Sequence, residues 1–198
     1  MRAPLLAALA MAAPLQSTGQ GGSLAAGLAP GMQLLYESEG EAQPPWSVDS
    51  VRRGEALRER SECAVVHLRR RPDAAAAEES RLCLAHDTLY VWEAKRREWS
   101  IQRPVGPGMT WTSRRDNGDQ VRYETDQAAQ ETISGHPVAV VHTTVTTSDS
   151  AGRPKRRLRE RYALALTTAT GGAFETADST GAWRMQRRFE LREIRPAR

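Results

Sequence analysis

Two cysteines, four histidines and a dense run of arginines are the side chains here whose type and spacing could do chemistry. Cys63 and Cys83 lie in the segments Glu62-Cys63-Ala64-Val65-Val66-His67-Leu68 and Ser80-Arg81-Leu82-Cys83-Leu84-Ala85. Between them runs a loop of Pro, Asp and Ala. A hairpin folded about residue 73 sets Cys63 directly opposite Cys83. The same alternation puts Ala64, Val66 and Leu68 with Leu82 and Leu84 on the other face. Neither thiol stands in a C-x-x-C pair or a nucleophile signature, so the chemistry expected of the pair is a disulfide rather than metal binding or catalysis.

The histidines are His67, His86, His136 and His142. None falls in H-E-x-x-H or in tight spacing with Asp or Cys. His136 and His142 share strand parity, but at ~3.3 Å per residue they stand ~20 Å apart and cannot hold one ion. Ser134-Gly135-His136 reads as a strand-entry turn, because it lacks the turn-to-helix setting of a nucleophile elbow. No phosphate-binding loop or dinucleotide fingerprint occurs. Carboxylates are plentiful, yet nothing in a strand-rich sequence tells which two would meet across a cleft. The reading therefore assigns no catalytic residue, no metal and no cofactor.

Arg153-Pro154-Lys155-Arg156-Arg157-Leu158-Arg159-Glu160-Arg161 is the strongest charge run. On a strand Arg157, Arg159 and Arg161 share one face, a candidate anion-binding row for phosphate headgroups or acidic glycans. The plainer account is a solvated face that resists aggregation. The formal net charge is only +4, with many Asp and Glu among the arginines, which argues against a dedicated nucleic-acid binder. Trp46, Trp92, Trp99, Trp111 and Trp183, with Tyr36, Tyr90 and Tyr123, supply the large apolar surface of a chain with little Phe; core packing is their first expected role.

These residues must be positioned by strands, since period-two alternation dominates. Val121, Tyr123 and Thr125 alternate with Gln120, Arg122 and Glu124, and Tyr162, Leu164 and Leu166 with Arg161, Ala163 and Ala165. Trp183, Met185, Phe189 and Leu191 are expected on one buried face, opposite Arg184, Arg188 and Arg192. Asp116-Asn117-Gly118-Asp119 is a hairpin signal of type I′ kind. Ser148 to Gly152, Gly171-Gly172 and Asp178 to Gly181 carry the same turn chemistry. Pro104-Val105-Gly106-Pro107-Gly108 is a stiffer link that divides the chain into two halves of one sheet. Only Ser50 to Arg60, capped by Asp49 or Ser50, offers a helix. The expected fold is mainly β: an antiparallel meander forming a curved sheet, half-barrel or barrel, with at most one short helix.

Met1-Arg2 precedes an apolar run, Ala3 to Leu15, too short to cross a bilayer, which takes about 20 residues. Small residues close it at Ala10-x-Ala12 or Ser17-x-Gly19, the pattern of a secretory signal peptide. The absence of Cys near that boundary argues against lipid anchoring. The expected organisation is residues 1–22 as signal peptide and cleavage region, 23–31 as flexible spacer and 32–198 as one β-rich domain. No transmembrane segment is expected in the mature protein, which would be periplasmic or extracellular.

Three segments resemble a group of bacterial exported proteins of unknown function, whose meandering half-barrel is broadly similar in shape to periplasmic lipoprotein carriers. They are Arg103-Pro104-Val105-Gly106-Pro107-Gly108-Met109-Thr110-Trp111, Ile133-Ser134-Gly135-His136-Pro137-Val138-Ala139-Val140-Val141, and Arg161-Tyr162-Ala163-Leu164-Ala165-Leu166 leading to Gly171-Gly172. The resemblance implies a fold and export, and brings no catalytic residues with it.

The leading expectation is an exported, non-enzymatic protein that binds an apolar or amphiphilic ligand, or an envelope partner, in a curved sheet. Two alternatives belong to other classes: an enzyme with a dispersed acid/His site, and a structural module docked on anionic envelope polymers through its Arg-rich face. An open apolar groove would favour the first, acids or His clustered in a cleft the second, and a filled core with a basic face the third.

Overall fold

A computed structural model describes residues 23–197 other than 72; the expected signal peptide, 1–22, lies outside them. The strands are β1 (Gln33–Ser38), β2 (Glu41–Ala42), β3 (Trp46–Arg53), β4 (Glu62–Arg69), β5 (Glu78–Ala85), β6 (Thr88–Glu93), β7 (Glu98–Pro104), β8 (Thr110–Arg114), β9 (Gln120–Ile133), β10 (His136–Ser148), β11 (Pro154–Ala163), β12 (Thr168–Ala177) and β13 (Trp183–Arg195). All belong to one antiparallel sheet in the order β7-β6-β5-β4-β3-β1-β13-β12-β11-β10-β9-β8, with β2 paired to β1. There is no α-helix among the described residues.

The order explains the shape. The chain meanders outward from β1 to the edge strand β7, then jumps to the opposite edge, β8. It meanders back to β13, which pairs with β1. Residues 105–109, the stiff link expected from sequence, make that jump, and a link so short reaches at most ~20 Å. The two edges must therefore come round to face each other, and the sheet curls into a nearly closed barrel. Val105 and Gly106 donate to Asp87 O at 2.8 and 3.2 Å, while Met109 N donates to Thr125 Oγ1 at 2.8 Å. Gly106 is required at this seam, because a Cβ would sit 2.6 Å from Asp87 Cβ.

Leu34, Val48, Val66, Leu89 and Val140 are fully buried in the core. Segment 23–31, expected as a flexible spacer, instead packs into it. Leu24, Ala25 and Leu28 are buried, and Ala25 N and Gly27 N donate to Leu164 O and Ala165 O at 3.0 and 2.9 Å. The apolar content of Leu24-Ala25-Ala26-Gly27-Leu28 outweighs its glycine.

Other expectations change for local reasons. The helix foreseen over Ser50 to Arg60 is absent: β3 continues to Arg53 and Gly54 N donates to Cys63 O at 2.8 Å. Gly171-Gly172 is not a turn but the middle of β12. Tyr162, Leu164 and Leu166 are buried as expected, but so is Ala163 between them, because the strand ends there and Leu164–Leu166 is a 3-10 turn. The turns at Asn117-Gly118, Ser148 to Gly152 and Asp178 to Gly181 fall between paired strands as expected. At the first, Gly118 has positive φ and Asn117 does not, so it is a type I turn with a glycine bulge. Type I′ geometry instead occurs at Ser134-Gly135, where both residues have positive φ.

The C-terminal strand departs furthest. Register between β12 and β13 shifts between Phe174/Glu175, leaving Gln186 unmatched. A one-residue bulge sends the flanking side chains to opposite faces. Leu191 is buried and Phe189 half-buried, its ring tilted 37° to that of Phe174 with centroids 6.2 Å apart. Met185 is 57% exposed, and Trp183 lies under the Arg157 guanidinium at 4.4 Å.

Candidate functional site

Between the two meanders lies a cavity of about 200 Å³, and a defect in β7 equips it. Leu89 opposes Arg103 and Tyr90 opposes Ile101, so Gln102 is an extra residue in its strand. Alternation is broken there, and both Gln102 and Arg103 line the cavity. Trp46, Leu68, Leu82 and Val91 give it an apolar wall, while Glu160 and Tyr162 enter from β11 on the other meander.

Arg103 and Glu160 form an ion pair, with side chains 16% and 6% exposed. The guanidinium also lies 4.4 Å from the centre of the Tyr162 ring, a cation–π contact. Pairing matters because an unpaired buried charge costs several kcal/mol. Burial pushes the Tyr162 phenol well above its ordinary range; Arg103 opposes the shift and Glu160 and Tyr36 add to it. Burial likewise pushes Tyr36 up to about 12. Its hydroxyl is 3.1 Å from Thr168 Oγ1 and donates to Ala169 O at 2.9 Å. Both phenols stay protonated at neutral pH. Two of the residues that line the cavity carry a buried polar atom with no partner among the described residues, the acceptor Gln102 Oε1 and the donor Arg103 Nε. Such atoms cost free energy unless something bonds them. The site offers an apolar surface beside one unmet acceptor and one unmet donor. Glu160 is engaged by Arg103, and the hydroxyl residues Ser80, Thr167 and Thr168 also line the cavity.

The candidate anion row is brought together, with its charge already met. Arg157 Nε and Arg159 Nη2 both donate to Glu175, at 2.6 and 2.9 Å. Those contacts, Arg157 first, hold the Glu175 carboxyl below the usual carboxylate range. Arg161 Nε lies 3.1 Å from Glu131 and its Nη2 3.5 Å from Glu190.

Cys63 and Cys83 are opposed in the β4–β5 register and joined by a disulfide, Cα atoms 4.1 Å apart. Beside it on β3, β4 and β5 the sheet aligns a chain that sequence did not reveal. Ser50 Oγ is 2.9 Å from His67 Nδ1, and His67 Nε2 is 3.1 Å from Glu79. Arg81 draws on the same carboxylate at 2.6 Å and holds it below the ordinary carboxylate range. Ser50 sits on β3, directly opposite His67 of β4. His136 and His142 are not brought together at a metal site, and no cluster of three or more metal-ligating side chains occurs among the described residues.

No family model and no curated protein matches the chain. Among solved structures it is similar to a Bacteroides fragilis protein described as exported, with a YmcC-like fold: 11% identity, TM-score 0.46, 88% of this chain and 100% of that one covered. It is also similar to a Parabacteroides distasonis protein described as a lipoprotein, at 11% identity and TM-score 0.44, with 87% and 99% covered.

Proposed function

We propose that this is an exported, non-enzymatic binding protein that holds a compact amphiphilic ligand in the cavity between its two meanders. The observation that carries the reading is the pair of unpartnered polar atoms, Gln102 Oε1 and Arg103 Nε, beside an apolar wall. A ligand head that both donates and accepts, such as a carboxamide, meets both once the Gln102 and Arg103 side chains turn toward the cavity. A ring or short chain then lies against Trp46, Leu82 and Val91. At about 200 Å³ the cavity is smaller than the ~300–1,000 Å³ of drug-sized sites, so the ligand is compact rather than a long acyl chain. The apolar leader and the disulfide support export to an oxidising compartment, periplasmic or extracellular.

Benzamide is a suitable probe. Calorimetric titration of the oxidised protein should show saturable 1:1 binding that Gln102→Leu abolishes while the thermal midpoint stays near that of the wild type. Absence of binding by the wild type, or undiminished binding by the variant, would overturn the assignment.

A further inference from the structure

The outer face of β3–β7 carries a second site, independent of the cavity. Arg52 opposes Val65, Val65 opposes Arg81, and Trp92 opposes Trp99. Leu82 faces Val91 across β5 and β6, so Trp92 stands one place along, beside Arg81. Two arginines and two indoles thus follow one another across five strands. The segment after β3 turns this row into a pocket. Gly54 N is bonded to Cys63 O, and a Cβ on Gly54 would sit 3.1 Å from Cys63 Cβ, so the backbone rests on the disulfide. Glu55 and Ala56 rise as a wall, Arg53 joins the rim, and the enclosed space is about 260 Å³.

We infer that this pocket binds an acidic saccharide, a sugar bearing a carboxylate. Sugar C–H groups are weakly positive and lie well on the electron-rich face of an indole. The Trp92 and Trp99 rings meet edge to face, centroids 5.6 Å apart, which turns them at an angle to each other. Guanidinium groups match carboxylate geometry in two-point contacts. Glu79 is shared between Arg81 at 2.6 Å and Arg52 at 4.0 Å. With Glu55 it sets two carboxylates against the three guanidiniums of Arg52, Arg53 and Arg81, leaving a positive surplus at the rim. The row of Arg157, Arg159 and Arg161 lacks that surplus, being met by Glu175, Glu131 and Glu190, and its one indole, Trp183, is already covered by Arg157.

Trigalacturonate titrated into the oxidised protein, followed by tryptophan fluorescence, tests the site. Saturable quenching is expected. Arg53→Glu, a change on the exposed rim, should weaken it at least tenfold with the circular dichroism spectrum unchanged. Maltotriose, which lacks carboxylates, should bind at least tenfold more weakly, and Gln102→Leu should leave the titration as it is. Absence of quenching, equal affinity for maltotriose, or full affinity in Arg53→Glu would each overturn the assignment. So would Arg53-dependent flotation with phosphatidylglycerol vesicles in a protein that ignores trigalacturonate, since the site would then serve a lipid.

Discussion

Arg161 lies over Gly171, its partner across β11 and β12, and reaches past it to Glu190 on β13. A Cβ at residue 171 would overlap the guanidinium, so the glycine is the gap that lets one side chain cross a whole strand. The consequence runs further along the sheet. Glu190 is directly opposite Glu37 of β1, a like-charge pair that would repel. Arg192 resolves it, lying 3.1 Å from Glu37 and 3.5 Å from Glu190. Next to Gly171, Gly172 serves the opposite face, where a Cβ would lie 3.0 Å from the Phe189 ring.

Gly171→Ala should therefore cost only about 0.5–1 kcal/mol in urea denaturation, because the overlapping group is the flexible end of Arg161, which swings away at the loss of its contact with Glu190. In an Arg161→Ala background the same change should cost at least ~0.5 kcal/mol less, because the overlapping group is gone. Equal costs in both backgrounds would place the strain elsewhere.

Much of this architecture was legible because alternation and turn chemistry are local. The cysteine register followed from folding two patterned segments about residue 73, and three Asp/Gly turns fell between paired strands. Long-range facts were not legible. Arg103 and Glu160 are 57 residues apart, and no local signal pairs a charge on one meander with a charge on the other. The extra residue at Gln102 arises from register with β6, and isolated β7 alternates normally around it. Ser50, His67 and Glu79 are likewise neighbours only through strand pairing. Gly171-Gly172 misled because glycine marks both turns and close approaches.

The buried ion pair gives a second prediction. Arg103→Met alone strands Glu160, which is 6% exposed, and should cost about 3–5 kcal/mol. Arg103→Met combined with Glu160→Leu leaves no unpaired charge and should recover most of that loss. Chemical denaturation of the two variants decides it, and a double variant as unstable as the single would mean the cost is packing rather than charge.

Acid should weaken the arginine row through Glu175. Its pairing with Arg157 and Arg159 lowers the folded pKa beneath the ordinary 4.5. A carboxyl with a lowered folded value contributes stability that is present above the unfolded pKa and is lost as pH falls through the folded one. The stability advantage of the wild type over Glu175→Gln should thus be full near neutrality and shrink below about pH 4.5. An advantage that stayed constant from neutral pH into strong acid would show that the carboxylate charge contributes nothing.

Removing the disulfide should cost about 3 kcal/mol in the chain-entropy model, since the bond closes a loop with a sequence separation of 20. The Cys63→Ser/Cys83→Ser pair tests it by urea denaturation. Because Gly54 and Glu55 rest against this bridge, the trigalacturonate titration should weaken in the same variant while benzamide binding persists. Loss of both together at a temperature where the variant is folded would tie the two sites to one element.

The bulge at Gln186 separates two hydrophobic residues that simple alternation would treat alike. Met185 is 57% exposed and opposes Glu175, whereas Phe189 opposes Gly172 and packs toward the core. Phe189→Ala should cost roughly 2–3 kcal/mol, below the range of a fully buried ring because the side chain is half-exposed. Met185→Ala should stay within about 0.5 kcal/mol, as a solvent-facing change does. Deleting Gln186 goes further. Without the extra residue Met185 and Arg187 become neighbours, which already face opposite sides, so both flanks of β13 keep their partners and their faces. A midpoint near that of the wild type is expected in thermal unfolding followed by circular dichroism. A large loss of stability on deletion, or equal costs for the two alanine variants, would mean that Gln186 is not an extra residue and that the bulge does not set the register of β13.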